Sequence, residues 1–358
     1  MARVRQALTQ AWNGQGGWGQ ALALALLPMS WVFGALVACR RWLYHIGFFK
    51  QHVLPVPVIV VGNVMVGGVG KTPVTMALVQ HLSAQGWRVG VLSRGYGRDT
   101  TTDNASGIQT VLTSSHANDV GDEPLLIART CQVPVFVASN RVAAGRALLA
   151  AHPDVQVLVC DDGLQHWQLA RDLELCVFDE RGVGNGYLLP AGPLRETWPR
   201  KALFSAAFNS PVPCLLVNTS SHAQAHEFTV QRRLADFAKQ ADGKQRPLQS
   251  WGATPVQALA GIAKPEVFFA MLRTQGMTLN HTQALPDHHD MLHLRIDAQL
   301  GDVLCTEKDA VKLWAHHPTA WAVPLQTTLP AELLTAIDQQ MVVAQHAKLS
   351  SPHGHQTA

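Results

Sequence analysis

Two hydrophobic regimes divide the chain. Residues 21–39 (ALALALLPMSWVFGALVAC) are almost continuously apolar, and no charged residue occurs between Arg5 and Arg40. A helix over this run covers roughly 28 Å at ~1.5 Å per residue, close to a bilayer core of about 30 Å. From residue 57 the pattern changes to short β-branched runs separated by stretches with helical spacing. Residues 57–63 (PVIVVGN) read as a buried parallel strand and 72–85 as the helix after it. Further strands are expected at 89–93, 134–138, 155–160 and 173–179, with a helix over 141–151. Such alternation predicts an α/β fold, a doubly wound parallel sheet whose functional residues gather at the strands' C-terminal ends.

Beyond residue 200, strands at 213–217, 256–260, 303–306 and 320–325 and helices at 265–275 and 331–344 form a second, smaller α/β domain. Between the two, residues 184–196 (GNGYLLPAGPLRE) lack either period and read as a hinge. The expected organisation is a membrane-associated segment over 1–52 and a first α/β domain over 53–200, with its linker at about 184–200. The second domain follows over 201–344, and the polar tail 345–358 is expected to be disordered.

Composition sharpens the reading of the apolar run. Only 15% of residues are charged against 47% hydrophobic, a shortage that points to extra buried or lipid-facing surface. A secretory signal is disfavoured because the run begins late. A buried helix hairpin is the other soluble reading, and a membrane helix is favoured over both. Trp18, Trp31, Trp42 and Tyr44 suit an interface, and Arg40, Arg41 and Lys50 suit anionic headgroups. Arg3 and Arg5 at the other end blur the orientation, and Pro28 interrupts the run, so association with the membrane is expected rather than a defined crossing. A net charge of +3 with no dense basic stripe excludes a nucleic-acid binder. The six cysteines form no CxxC pair and read as reduced, packed thiols.

The chemistry starts where the first strand ends. VMVGGVGKTP follows it and opens a helix, which is the context a phosphate-binding loop (P-loop) requires. Gly67, Gly68 and Gly70 let backbone N–H groups close on phosphates at the helix N-terminus. Lys71 reaches the β/γ oxygens and Thr72 ligates Mg²⁺, with Met65, Val66 and Val69 completing the loop. Met65 stands where the pattern's first glycine is expected. Asp161 and Asp162 follow the strand VQVLVC, the Walker B position for carboxylates that organise Mg²⁺. Arg94 in SRGYG is a candidate phosphate contact, and Arg195 and Glu196 are carried toward the site by the hinge.

Two further clusters are chemically open at this point. Gly121-Asp122-Glu123-Pro124 places two carboxylates in a turn, and Pro286-Asp287-His288-His289-Asp290 places adjacent histidines in a loop without the i,i+4 geometry of metal ligands. A general base or proton relay is the better use for one of those histidines. Thr306-Glu307-Lys308-Asp309 approximates a guanine-reading element with its order shifted by one residue, so guanine specificity is not inferred. Val66 replaces the extra lysine of partition-type ATPases, which counts against a switch ATPase.

Taken in order, VGNVMVGGVGKTP, LSRGYGR, GDEP, ASNR, DDGLQH, NGYLLPAGPLRE, PDHH and TEKDAVKL resemble the tetraacyldisaccharide 4′-kinase family of lipid A biosynthesis, over most of the chain to about residue 325. The resemblance implies transfer of the γ-phosphoryl of ATP to the 4′-hydroxyl of a lipid-linked acylated disaccharide 1-phosphate, forming lipid IVA. It implies an inner-membrane-associated enzyme working on the cytoplasmic face, with ATP and Mg²⁺ and no obligate protein partner. It also implies two α/β/α domains with nucleotide bound between them. Asp122 and His288 are then the proton-accepting pair, expected to meet across the interdomain cleft. Arg94, Arg141 and Arg195 fall to the nucleotide, and Thr72, Asp161, Asp162, Gln165 and Glu196 to the metal. Two alternatives stand beside it: a membrane-associated switch ATPase acting with a protein partner, and a nucleotide-dependent metallochaperone.

Overall fold

A computed structural model describes residues 8, 11–12, 17–100, 107–200, 204–205, 210–220, 226–292 and 294–350. In chain order the elements are α1 (Gly17–His45), β1 (Val58–Gly62), α2 (Lys71–Ala84), β2 (Val89–Ser93), β3 (Gln109–Val111), α3 (Ala117–Val120), α4 (Asp122–Cys131), β4 (Val135–Val137), α5 (Arg141–Ala151), β5 (Val157–Asp161) and β6 (Leu173–Phe178). They continue with β7 (Phe204–Ser205), β8 (Ser210–Pro211), β9 (Cys214–Asn218), β10 (Glu227–Thr229), β11 (Gln231–Leu234), β12 (Phe237–Lys239), β13 (Gln245–Pro247), β14 (Val256–Ala260), α6 (Pro265–Thr274), β15 (Leu279–Ala284), β16 (Val303–Thr306), α7 (Glu307–Leu313), β17 (Trp321–Val323), β18 (Leu325–Thr328) and α8 (Ala331–Leu349). The chain forms two compact units. One comprises Met1–Lys71, Gln156–Val230 and Pro330–Ala358, the other Thr72–Val155 and Gln231–Leu329.

In the first unit the strand order is β10-β9-β6-β1-β5, all neighbours parallel. The β-branched run of β1 is buried along its whole length, as a strand covered on both faces requires. The register brings Val61 opposite Asp161, so β1 and β5 deliver the phosphate loop and the acidic pair to the same sheet end. The last helix is tied to this strand. Lys348 Nζ donates to Leu54 O at 3.2 Å and pairs at 3.5 Å with the Asp172 carboxylate, which itself accepts from Val58 N at 2.7 Å. Helix α8 therefore runs past residue 344, where the polar tail is expected to begin, because Lys348 has a buried partner. Residues 351–358 lie outside the described residues.

Helix α1 continues through Pro28 and remains the one helix among the described residues long and apolar enough to cross a membrane. Within Gly19–His45 its most apolar 18-residue window has mean hydropathy 2.1, and 11% of that window is buried. Trp31, Val32, Leu36 and Trp42 project from it into solvent, an apolar surface of the kind monomeric soluble proteins keep small. Arg3, Arg5 and the Trp18 side chain lie outside what the structure describes.

The second unit contains the ladder β2-β4-β3 and the six-stranded sheet β13-β12-β17-β16-β14-β15. Strands β11 and β18 pair antiparallel as a separate ribbon. Trp251 and Trp321, edge-to-face at 5.4 Å, pack with Phe268, Phe269 and Leu272 in its core. Helix α4 packs on α7, and that contact sets up the second cluster described below. The GDEP segment is the start of α4 rather than a free turn: proline is tolerated in a first helical turn and acidic residues favour that end. None of the six cysteines is in a disulfide.

Candidate active site

The phosphate loop occupies the gap between β1 and α2, and Lys71 is the first helical residue. Gly67 and Gly70 have φ of 99° and 86°, a region costly for any side chain. Neighbouring segments brace the loop. Val66 N donates to Pro193 O at 2.8 Å and Arg195 N to Val64 O at 2.7 Å, so the hinge sequence lines the loop. Arg181 Nη2 donates to Gly68 O at 3.0 Å while paired with Asp179, and Thr219 Oγ1 donates to Val69 O at 3.0 Å. Met65 is buried, and its backbone bridges Leu194.

A charged rim surrounds Lys71. Its Nζ is 3.6 Å from Asp162 Oδ1, and Arg195 Nη1 is 3.4 Å from the same oxygen and from Gln165 Oε1. Gln165 Nε2 donates to Glu196 Oε1 at 2.9 Å and to Asn63 O at 3.0 Å. Asp162 adopts φ of 50°, and the following Gly163 could not carry a Cβ, which would sit 2.6 Å from Cys160 Sγ. The turn that presents Asp162 is thus fixed by close packing. Asp161 is buried at the end of β5, and Thr72 is buried in the first turn of α2. Lys71, Asp162, Gln165, Arg195 and Glu196 are brought together. Arg94 is exposed with no partner among the described residues, and Arg141 is buried at the start of α5, donating to Ser139 O at 3.1 Å.

The second unit holds the other expected pair. His288 Nδ1 lies 3.0 Å from Asp122 Oδ2 and 3.2 Å from Oδ1, a contact internal to that unit. His288 sits at φ of 63° in a turn, which aims its ring at the helix start. Two lysines one turn apart on α7 complete the cluster. Lys312 Nζ reaches Asp122 Oδ2 at 3.0 Å, and Lys308 Nζ reaches Glu123 Oε1 and Asp287 Oδ1 at 3.1 Å and His288 Nε2 at 3.4 Å. Burial alone would raise the Asp122 carboxyl, but the His288 hydrogen bond and the Lys308 and Lys312 ammonium groups together hold it well below the carboxylate range. The hydrogen bond to Asp122 raises His288, against burial and Lys308. A cavity of about 100 Å³ opens here, lined by Tyr96, Asp122, His288 and Lys312 among others.

The sequence assigns Lys308 and Lys312 no role at this cluster, although their i,i+4 spacing in TEKDAVKL is a usable signal. The same motif explains its own shape. Thr306 caps α7 by accepting from Asp309 N at 3.2 Å, and Asp309 Oδ2 accepts from Thr306 Oγ1 at 2.6 Å and Gly261 N at 2.9 Å. The motif is therefore a helix start that aims two lysines, not a base-reading element.

Known proteins carry the same arrangement of sequence. A family profile described as tetraacyldisaccharide-1-P 4′-kinase matches residues 22–342. The chain is 51% identical over 354 residues to the tetraacyldisaccharide 4′-kinase of Acidovorax ebreus (strain TPSY), covering 98% of this chain and 97% of that one. It is 46% identical over 343 residues to the enzyme of that name from Delftia acidovorans (strain DSM 14801 / SPH-1), covering 95% and 96%. Among solved structures, LpxK from Aquifex aeolicus in complex with ATP superposes with a TM-score of 0.74 at 28% identity, over 89% of this chain and 99% of that one.

Proposed function

We propose a division of labour that proceeds from one premise: this chain belongs to the tetraacyldisaccharide-1-P 4′-kinase family. It is a kinase that transfers the γ-phosphoryl group of ATP to the 4′-hydroxyl of a tetraacyldisaccharide 1-phosphate. The family match gives the switch-ATPase alternative no support. The observation that carries the assignment of roles is the braced phosphate loop with Lys71 at a helix N-terminus. That arrangement supports nucleotide binding by Gly67–Thr72, with Lys71 and Arg195 countering charge on the β/γ oxygens.

The donor set beside the loop fits Mg²⁺. Asp161, Asp162, the Gln165 amide and the Thr72 hydroxyl offer oxygen ligands. Mg²⁺ keeps several waters and needs only one or two carboxylates plus substrate phosphates. The fully buried Asn63 carboxamide, unbonded at both polar atoms among the described residues, adds a donor and an acceptor still to be satisfied at this strand end. Bound there, the cation supplies charge neutralisation at the β/γ oxygens. Asp122 and His288 serve as one proton-accepting unit for the sugar hydroxyl: the carboxylate holds Nδ1–H, so Nε2, which faces Lys308 Nζ at 3.4 Å, is the nitrogen that takes the proton. An assay with radiolabelled ATP and an acylated disaccharide 1-phosphate tests the function. Label must appear in the lipid product only when the acceptor carries a free 4′-hydroxyl.

The acceptor is a lipid, which gives helix α1 a purpose in holding the enzyme in the plane of its substrate. The site is assigned to the cytoplasmic face of the inner membrane because ATP is there. Deleting residues 1–39 removes all of α1 but its last turn and a half, and is expected to move the protein from the membrane to the soluble fraction. Unchanged recovery in membranes would show that another surface anchors it.

A pH prediction follows from His288. It must be neutral to accept a proton, and its pKa lies above the ordinary 6.5. The rate should therefore rise with pH through a limb placed above that value, with Lys308, Asp287 and Tyr96 facing the ring and Lys312 held on Asp122. Asp122→Asn removes the chief cause of the raise, so the limb should move to lower pH as the plateau falls. Measurement of kcat/KM against pH for both proteins checks this, and an unmoved limb would assign it to another group.

A further inference from the structure

Four charged side chains close a ring behind the phosphate-loop rim. Arg171, two residues before β6, is 3% exposed and spends its guanidinium on the turn that follows Asp162. Nη1 donates to Leu164 O at 3.0 Å, Nη2 to His166 O and to Leu169 O, and Nε again to Leu169 O. Nη1 also pairs with Glu174 Oε1 at 3.1 Å. Glu174, inside β6 and 2% exposed, accepts at its other oxygen from Arg200 Nη1 at 2.6 Å. Arg200 Nε then donates to Glu196 Oε2 at 3.0 Å, and Glu196 Oε1 accepts from Gln165, which rides on the turn that Arg171 holds.

Two cations and two anions balance, so no net charge is buried. Such a ring is costly to desolvate, and well-packed apolar residues would stabilise a fold as well or better. What it gives that apolar packing cannot is direction. It fixes the Gln165 amide from one side and the Glu196 carboxylate from the other. Arg200 also gives Glu196 Oε2 a fixed partner, so the carboxylate keeps one orientation beside Gln165.

We propose that Arg171, Glu174 and Arg200 are positioning residues for the metal–nucleotide complex, acting through Gln165 and Glu196 in this buried, charge-neutral ring. The proposal rests on the reading that Mg²⁺ is held at this rim. Outer partners of metal-site residues typically contribute 10–100-fold to metal affinity or activity.

The test is nucleotide binding without turnover, using the full chain in detergent and a fluorescent ATP analogue titrated with Mg²⁺ and again with EDTA. Arg200→Met and Glu174→Gln should weaken binding about 10-fold or more with Mg²⁺ and leave the EDTA titration nearly unchanged. Arg200→Lys should restore part of the loss. Glu174→Gln keeps shape and volume, so it carries the test if Arg200→Met does not fold. Binding unchanged in a folded variant, or weakened equally with Mg²⁺ and with EDTA, would overturn the ring as a positioning device. An unsubstituted protein whose binding ignores Mg²⁺ would instead overturn the metal reading, and this inference with it.

Discussion

Lys71→Ala should lower turnover about 10²–10³-fold at saturating acceptor while the fold stays in place. Lys71 is the first residue of α2 and contributes nothing to the apolar core. The contact it makes among the described residues is the 3.6 Å pair with Asp162, which keeps Arg195 at 3.4 Å when the lysine is gone. The ground state therefore loses little. The transition state loses an ammonium group aimed at oxygens whose charge grows as the phosphoryl group leaves, and in phosphoryl transfer that stabilisation is most of the catalysis. Thermal unfolding by circular dichroism and initial rates with labelled ATP, measured on the same preparation, check both halves. Normal turnover in a folded Lys71→Ala protein would remove the phosphate-loop assignment.

How far the molecule was legible beforehand depended on whether burial left a trace in composition. Strands β2, β14 and β16 fall where their apolar runs end, because a strand covered on both faces must be apolar throughout. Strands β10 to β13 escaped notice. QRRL and QRP carry no such run and exist because they pair with neighbours already in place, as β11 does with β18. The phosphate loop and the acidic pair were legible because their chemistry needs fixed spacing. The ion ring was not: Arg171, Glu174, Glu196 and Arg200 come from segments whose convergence no local pattern encodes. One hint was present, since Glu174 lies in LELCVF, a run in which an unpaired carboxylate would be prohibitive. GDEP misled because a proline near two acidic residues reads as a turn when it can equally open a helix.

Asp122 and His288 carry the last expectation, since they belong to segments 166 positions apart and meet at 3.0 Å. Asp122→Asn and His288→Ala should each cost about 10²–10⁴-fold in kcat, the usual contribution of positioned proton acceptance. The two losses should not add. The carboxylate acts by orienting the ring and raising its basicity, so once the imidazole is gone Asp122 has little left to do for the sugar hydroxyl. The double variant should be scarcely slower than the worse single one. Asp122 also pairs with Lys312, and Asp122→Asn leaves that ammonium group without its anion, so stability must be measured alongside the rates. Lys312→Met serves as the control: it disturbs the same carboxylate from the other side but leaves the imidazole to accept the proton. A loss in Lys312→Met as large as in His288→Ala would assign the effect to local structure, and multiplicative losses in the Asp122–His288 cycle would make the two residues independent.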